Sequence, residues 1–358
     1  MSAATFTVRL AGGETAFACA ADDTLLRAAQ RAGLGFPYEC NVGSCGNCKF
    51  ELVEGEVATA WPAAPGLSDK DRQRKRHLGC QSRPLSDCVL KLRPAERYQP
   101  LQRPRRGGAV LRGQRALTHD ISEFHFELDT PQAFEPGQYA LCWLPGVAGP
   151  RAYSMSNTVA DDAGHDPANA NANANANGDG DAGRVWHFQV RRVPGGAGSA
   201  ALFALQSGQR VDLDGPYGMA WLRRDAPRDI LCLAGGSGLA PMVSIARGVV
   251  AEPKLAGRQL HFLYGGRTPA DLCGQDLLAA LPGYGERLFW RGFVSTPQPA
   301  GSPHELAFVH EAAFKLYGAQ LAQMEVYFAG PPAMAQAVQA MLLQAGVPPD
   351  QQHFDQFY

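Results

Sequence analysis

Cys40-Asn41-Val42-Gly43-Ser44-Cys45-Gly46-Asn47-Cys48, followed after thirty-one further residues by Cys80, is the stretch on which the reading of this chain turns. Its Cys-x4-Cys-x2-Cys…Cys spacing is that of four thiolates around a [2Fe-2S] cluster. Gly43 and Gly46 let backbone amides turn toward sulfur with no Cβ in the way, and Ser44 adds a hydroxyl. A structural zinc site and a disulfide framework are the alternatives. Zinc sites favour two pairs of closely spaced ligands, whereas here three cysteines sit together and one far away.

The chain has 358 residues, enough for two or three domains, and its 45% hydrophobic content is that of a globular protein. The formal net charge of -1 gives no reason to expect nucleic acid or an anionic membrane as partner. Nine cysteines, an odd number without a secretory leader, point to a reducing compartment, the cytoplasm. Cys19, Cys88, Cys142, Cys232 and Cys273 are then packed thiols. Residues 5–10 alternate as a strand, and the uncharged run from Ile230 to Ala246 is short and broken by glycines and Pro241. A soluble protein is expected.

Working outward from the cysteines, an alternating strand up to Leu10, a Gly12-Gly13 turn and a second alternating piece, Glu14 to Cys19, predict a hairpin. A helix follows, capped by Asp22 or Asp23, with Leu25, Leu26, Ala29 and Ala32 on one face and Gly33 at its end. After the cysteine loop come a strand at Lys49 to Val53 and a hairpin around Glu54-Gly55. Over residues 1–95 this pattern resembles the β-grasp fold of plant-type ferredoxins. The run Asp69 to His77 is basic and reads as a solvated helix face or a docking patch. Residues 1–95 carry twelve Lys plus Arg against ten Asp plus Glu, unlike the acidic photosynthetic ferredoxins.

From Pro94 to Arg115 a Pro, Arg and Gly-rich linker leads into short alternating segments, Ser122 to Leu128 and Gln138 to Trp143, that predict an antiparallel β-barrel. The low-complexity Asn-Ala repeat within residues 161–183 reads as a mobile insertion between two strands. After Pro227, apolar strands (Ile230 to Ala234, Gln259 to Tyr264, Leu288 to Phe293, Glu325 to Ala329) alternate with helical stretches (Pro241 to Val250, Asp271 to Leu281, Leu306 to Tyr317, Ala333 to Ala345). That alternation predicts a doubly wound parallel sheet with its ligand at the strands' carboxyl ends. The expected fold class is therefore multidomain, α+β followed by α/β. Its divisions are 1–95, 103–226 and 227–358.

The later segments carry their own motifs. Arg151-Ala152-Tyr153-Ser154 supplies a forked phosphate donor, a flat aromatic and a hydroxyl. Gly195-Gly196-Ala197-Gly198-Ser199 precedes a helical stretch, so its amides can face a phosphate and Ser199 can cap; a plain turn and cap is the alternative. Asp214 to Gly218 reads as a structural turn. Gly235-Gly236-Ser237-Gly238-Leu239-Ala240-Pro241 sets glycines between strand and helix with Pro241 in the first turn. The chain ends in Phe354-Asp355-Gln356-Phe357-Tyr358.

Arg-x-Tyr-Ser, Gly-x-x-Ser, Gly-Gly-Ser-Gly-x-x-Pro, Tyr264-Gly265-Gly266-Arg267…Asp271 and Phe328-Ala329-Gly330-Pro331 together resemble the ferredoxin reductase-like flavoproteins. The three segments in order resemble the reductase components of bacterial multicomponent oxygenases. The runs Cys48 to Val57 and Pro65 to Cys80 are most similar to reductases of toluene- and phenol-type diiron monooxygenases. This resemblance implies a ferredoxin domain, an FAD barrel and an NAD domain. It gives Arg151 the flavin diphosphate, Tyr153 the flavin ring and Ser154 the vicinity of N5, with Gly196, Gly198 and Ser199 also on FAD. Gly235, Gly236, Ser237, Gly238, Pro241, Arg267, Gly330 and Pro331 would hold the nucleotide, and Tyr358 would cover the flavin. Ala329 stands where the family generally has cysteine, so that thiol is dispensable or another group such as Cys232 lies nearby. The implied path runs from NADH, with NADPH the alternative, through FAD and [2Fe-2S] to a diiron hydroxylase or its Rieske ferredoxin. A Rieske dioxygenase reductase is the nearest alternative, and a redox sensor or carrier the alternative from another class.

Overall fold

The computed structural model describes residues 4–162 and 183–355. The Asn-Ala repeat and Tyr358 lie outside them. The described residues divide into two compact units: one runs from Ala4 to Arg106 and takes in Asp214–Met219 and Asp355, and the other is drawn from Gly107–Leu213 and Ala220–Phe354.

The first unit is built on a five-stranded mixed sheet. Thr5–Leu10 pairs antiparallel with Ala16–Ala20, as the Gly12-Gly13 turn requires, and parallel with Cys88–Lys91. Cys88–Lys91 in turn pairs with Lys49–Glu54, which also pairs with Arg76–Leu78. Helix Leu25–Arg31 buries Leu25, Leu26, Ala28 and Ala29. Its cap is Thr24, not Asp22 or Asp23; the Thr24 hydroxyl accepts from Arg27 N, while Asp23 is taken by ion pairs to Arg27 and Arg31. The hairpin expected around Glu54-Gly55 does not form. Gly55 turns the chain so that Val57–Thr59 leaves the sheet and pairs with Ser82–Pro84 instead. The turn Asp214 to Gly218 is structural, as expected: Arg31 pairs with the fully buried Asp214 at 2.6 Å, and the Tyr38 hydroxyl accepts from Gly218 N at 3.0 Å.

The second unit has two sheets. One, which lies in this unit apart from residues 105–106 and 214–217, is a six-stranded barrel sheet containing Arg105–Ala116, Ile121–Leu128, Tyr139–Trp143, Arg151–Ser154, Val185–Arg191 and Arg210–Tyr217; its first strand takes up most of the stretch from Pro94 to Arg115 expected as a linker. Its two edge strands meet through a bridge between Met155 and Phe188, so the sheet nearly closes around a core that includes Phe124, Phe126, Trp186 and Phe188. The other is a parallel sheet whose centre, Asp229–Gly235, is flanked by Leu260–Gly266 and Met324–Ala329. Helices Leu239–Ala251, Val309–Tyr317 and Pro332–Gln344 cover it. The helix expected from Asp271 shrinks to Gln275–Ala279 after a turn of 3-10 helix at Pro269–Asp271, because Gly274 adopts a left-handed φ of 92°. The one expected from Leu306 starts at Val309, since Glu305–Leu306 pairs as a strand with Phe293-Val294. Among the described residues no helix is long and apolar enough to cross a membrane.

Candidate cofactor and nucleotide sites

The four thiols meet as two pairs. Cys40 and Cys45 are hydrogen-bonded to each other, and the sulfurs of Cys48 and Cys80 lie 3.3 Å apart. All nine cysteines are free thiols. Three amides, of Val42, Ser44 and Cys45, donate to the Cys40 sulfur at 3.5, 3.3 and 3.4 Å, and Asn47 N donates to Cys45. The hydrogen bond from Cys45, aided by those amides, pulls the Cys40 thiol below its ordinary range. Gly43 and Gly46 hold left-handed φ values of 98° and 80°, which is what turns these amides inward. Two thiol pairs, the first ringed by backbone N–H donors, fit a cluster of two irons. A single zinc ion would draw all four sulfurs to one point.

Of the other thiols, Cys19, Cys88, Cys142 and Cys232 are buried, and burial pushes Cys142 up to about 12. Cys232 does not lie beside Ala329. It sits in the apolar core, level with Phe262 and Tyr327, whereas Ala329 is level with Ala234. The sulfur that does reach this place belongs to Met334, since a Cβ on Gly235 or Gly330 would lie 2.7 or 2.5 Å from its Sδ.

In the barrel, Arg151, Tyr153 and Ser154 are half-buried on one strand, and Tyr153 packs against Phe188 with ring centroids 6.3 Å apart. Helix Ala197–Ala204 brings Gly198 against Arg151: a Cβ there would meet its side chain at 2.8 Å. The Arg151 guanidinium rests on the carbonyls of Ala148, Gly149 and Pro150. Ser199 is not the cap residue. That place is held by Gly196, and the Ser199 hydroxyl bonds back to Val193, accepting from its N at 3.0 Å. A forked cation beside a helix N-terminus, with an aromatic two residues on, fits a flavin diphosphate and ring.

A cavity of about 410 Å³ opens at the carboxyl ends of the parallel strands. Gly235, Gly236, Tyr264, Arg267, Pro331 and Met334 are among its lining residues. Gly238 is obligatory by close approach, since a Cβ there would lie 2.0 Å from the Ala329 carbonyl oxygen. Gly330 thus packs against the glycine loop, while Ser237 is exposed and Pro241 is buried in the first turn of the helix. The barrel contributes Asp120, Ile121 and Arg191 to the same wall, residues that sequence reading did not single out. Arg191 Nε pairs with Asp120 at 2.6 Å, and a Cβ on Gly236 would come within 3.7 Å of the Arg191 guanidinium. Arg267 pairs with Asp271 at 2.8 Å and stands 4.0 Å from Asp120. These hydrogen bonds from Arg267 and Thr268, against the opposing effect of burial, pull the Asp271 carboxyl down to about 2. The only sequence trace of Asp120 is the Thr118-His119-Asp120 turn, where the Thr118 hydroxyl accepts from Ile121 N.

Comparison with known proteins identifies the domains that carry these residues. Residues 8–85 match the 2Fe-2S iron-sulfur cluster binding domain, and residues 232–340 the oxidoreductase NAD-binding domain. The chain is 37% identical to the ferredoxin–NAD(P)(+) reductase CarAd of Metapseudomonas resinovorans, over 97% of this chain and 98% of that protein. The chain belongs to the reductase components of multicomponent oxygenases. It is 36% identical to the ferredoxin–NAD(+) reductase component of the alkene monooxygenase system of Xanthobacter autotrophicus, over 98% of this chain and 100% of that one. Among solved structures, the ferredoxin reductase in carbazole 1,9a-dioxygenase superposes with a TM-score of 0.85 at 33% identity, covering 99% of both chains. Like these reductases, the protein is an oxidoreductase that joins an iron-sulfur domain to a nucleotide-binding one.

Proposed function

We propose that this reductase takes electrons from NADH through FAD to its [2Fe-2S] cluster and delivers them to a ferredoxin or hydroxylase of an aromatic-hydrocarbon oxygenase, within the cytoplasm. When bound, FAD accepts a hydride and releases its two electrons singly to a cluster that holds one at a time. In this reading residues 1–95, 103–226 and 227–358 serve the cluster, the flavin and the nucleotide. Cys40, Cys45, Cys48 and Cys80 hold the irons. Arg151, with the amides around Gly196, Gly198 and Ser199, holds the flavin diphosphate, while Tyr153 and Ser154 face the ring. Gly235, Gly236, Ser237, Gly238 and Pro241 carry the nucleotide phosphates beside Arg191, and Gly330 and Pro331 border the nicotinamide.

The observation that supports NADH over NADPH is the pairing of Arg267. Its charge is spent on Asp271, and Asp120 is in turn held by Arg191, so a 2′-phosphate would meet compensated ion pairs rather than a free cation. Anaerobic titration of the purified protein with NADH and, in parallel, NADPH tests the reading. NADH is expected to bleach flavin and cluster absorbance stepwise, and NADPH to do so only at much higher concentration. A protein that cannot be loaded with flavin, or whose chromophores ignore NADH, would sink the enzyme reading.

Both relatives above are named as ferredoxin reductases, which supports a ferredoxin as immediate acceptor. One similar protein serves a dioxygenase and another a monooxygenase, so a Rieske dioxygenase system is the second reading. Turnover with a dioxygenase ferredoxin and none with a diiron hydroxylase system would select it.

A further inference from the structure

The basic run from Arg72 to Arg76 reads in the sequence as one patch of surface charge. The fold separates its members. Helix Asp69–Gln73 starts at a capping box in which Ser68 and Asp71 bond reciprocally, and Asp71 also takes Lys49 at 2.8 Å and Arg76 at 3.2 Å. Arg72 sits on the second half of that turn and sends its guanidinium back over the preceding loop. It donates to three backbone carbonyls there, those of Pro62, Ala64 and Leu67, the last two at 3.1 Å each. A planar fork with five donors can satisfy three divergent carbonyls at once, which an ammonium cannot match in geometry.

The loop so held is not remote from the thiols. Gly66 N donates to the Gly43 carbonyl at 3.0 Å. A Cβ on Gly66 would lie 2.7 Å from that oxygen and 2.8 Å from Gly46 N, and a Cβ on Gly46 would strike the Gly66 carbonyl at 2.5 Å. The backbone of residues 43–46, which aims the Ser44 and Cys45 amides at Cys40, is therefore braced from behind by Gly66, and Gly66 lies within the segment that Arg72 ties down. Amide donors stabilise the more negative, reduced form of a thiolate-bound cluster, so their aim sets its potential.

We propose that Arg72 is a positioning residue for the cluster loop, acting through the Pro62–Leu67 segment, rather than a member of a docking patch. Arg74, as exposed as Arg72 and on the same turn, shares its charge but not its three bonds to the loop carbonyls. The inference rests on the cluster domain and is independent of the nucleotide reading, because the cluster can be reduced chemically.

The test uses full-length protein loaded with cluster and flavin, in the wild type and in Arg72→Gln, Arg72→Lys, Gly66→Ala and Arg74→Gln forms. Midpoint potential is measured by mediated titration, and visible circular dichroism reports the cluster's surroundings. Arg72→Gln and Arg72→Lys are both expected to disfavour cluster reduction about tenfold, a fall of ~59 mV for a one-electron couple, and to alter the dichroism. Gly66→Ala should move both in the same direction, and Arg74→Gln neither. If Arg72→Gln takes up no cluster, Arg72→Lys and Gly66→Ala decide. A wild-type potential and dichroism in Arg72→Lys would overturn the proposal, because charge alone would then suffice. So would an equal shift in Arg74→Gln.

Discussion

The thiol nest and the nucleotide cavity are built on the same device, backbone brought close by glycine, yet they differ in where their parts come from. The nest draws its amide donors and three of its four sulfurs from residues 40–48, with Cys80 brought in by the sheet. The cavity is lined by residues from Asp120 to Ala337, contributed by barrel strands, sheet edges and helix starts. A site made from one loop depends on that loop's covalent geometry. A site made from two sheets depends on their packing, and its selectivity can be set by a residue with no motif around it.

The sharpest way to break this contrast is to remove one sulfur. Cys80→Ser should leave the cluster unassembled or labile, cutting transfer to the acceptor at least ~100-fold while NADH-driven reduction of an artificial dye persists, since loss of a ligand removes the metal site outright. Stopped-flow assays with dye and with ferredoxin would report the two halves. Equal loss of both activities would show that the sites are not separable.

Next in size is Gly238→Ala. The added Cβ would meet the Ala329 carbonyl at 2.0 Å, and overpacking of this kind costs ~1–3 kcal/mol. KM for NADH should rise about tenfold or more with a lowered Tm, whereas cluster absorbance stays unchanged. Smaller still is Asp271→Asn, which frees Arg267. The NADPH to NADH ratio of kcat/KM should rise by up to about fivefold, the ~1 kcal/mol upper end for an exposed ion pair. Asp120→Asn, from the barrel, releases Arg191 from its 2.6 Å pair and should act in the same direction.

The last effect bears on stability rather than on turnover and is in the barrel wall itself. Burial, and then the charge of His125, pushes the His187 imidazole down to about 3, with Glu123 opposing and Arg247 and Arg115 adding to the shift. A histidine held neutral in the folded state binds its proton first in the unfolded chain, near 6.5. Its contribution is thus complete above pH 6.5 and is lost as the pH falls toward 3. Urea denaturation at pH 7 and at pH 4.5 should show a smaller acid loss for His187→Gln than for the wild type.

By itself the sequence determined the parts whose chemistry is local. The cysteine spacing named the cluster, alternation of two named the barrel strands at Ile121–Leu128 and Tyr139–Trp143 but left Arg105–Ala116 as linker, and apolar strands between helical stretches named the parallel sheet, because each depends on neighbours along the chain. Local signals failed where two nearby groups competed. Thr24 took the helix cap while Asp23 went to ion pairs, and Gly274 shortened the helix expected from Asp271. Only the tertiary structure decided that Val57–Thr59 leaves its apparent hairpin to pair with Ser82–Pro84. It likewise separated Cys232 from Ala329 and put Met334 in that place, set Asp120 beside Arg267, and turned Arg72 from surface charge into a brace behind the cysteine loop. The physical reason is common to all of these. A side chain's partner across space is chosen by the packing of elements far apart in the chain, and one-dimensional spacing carries no record of it.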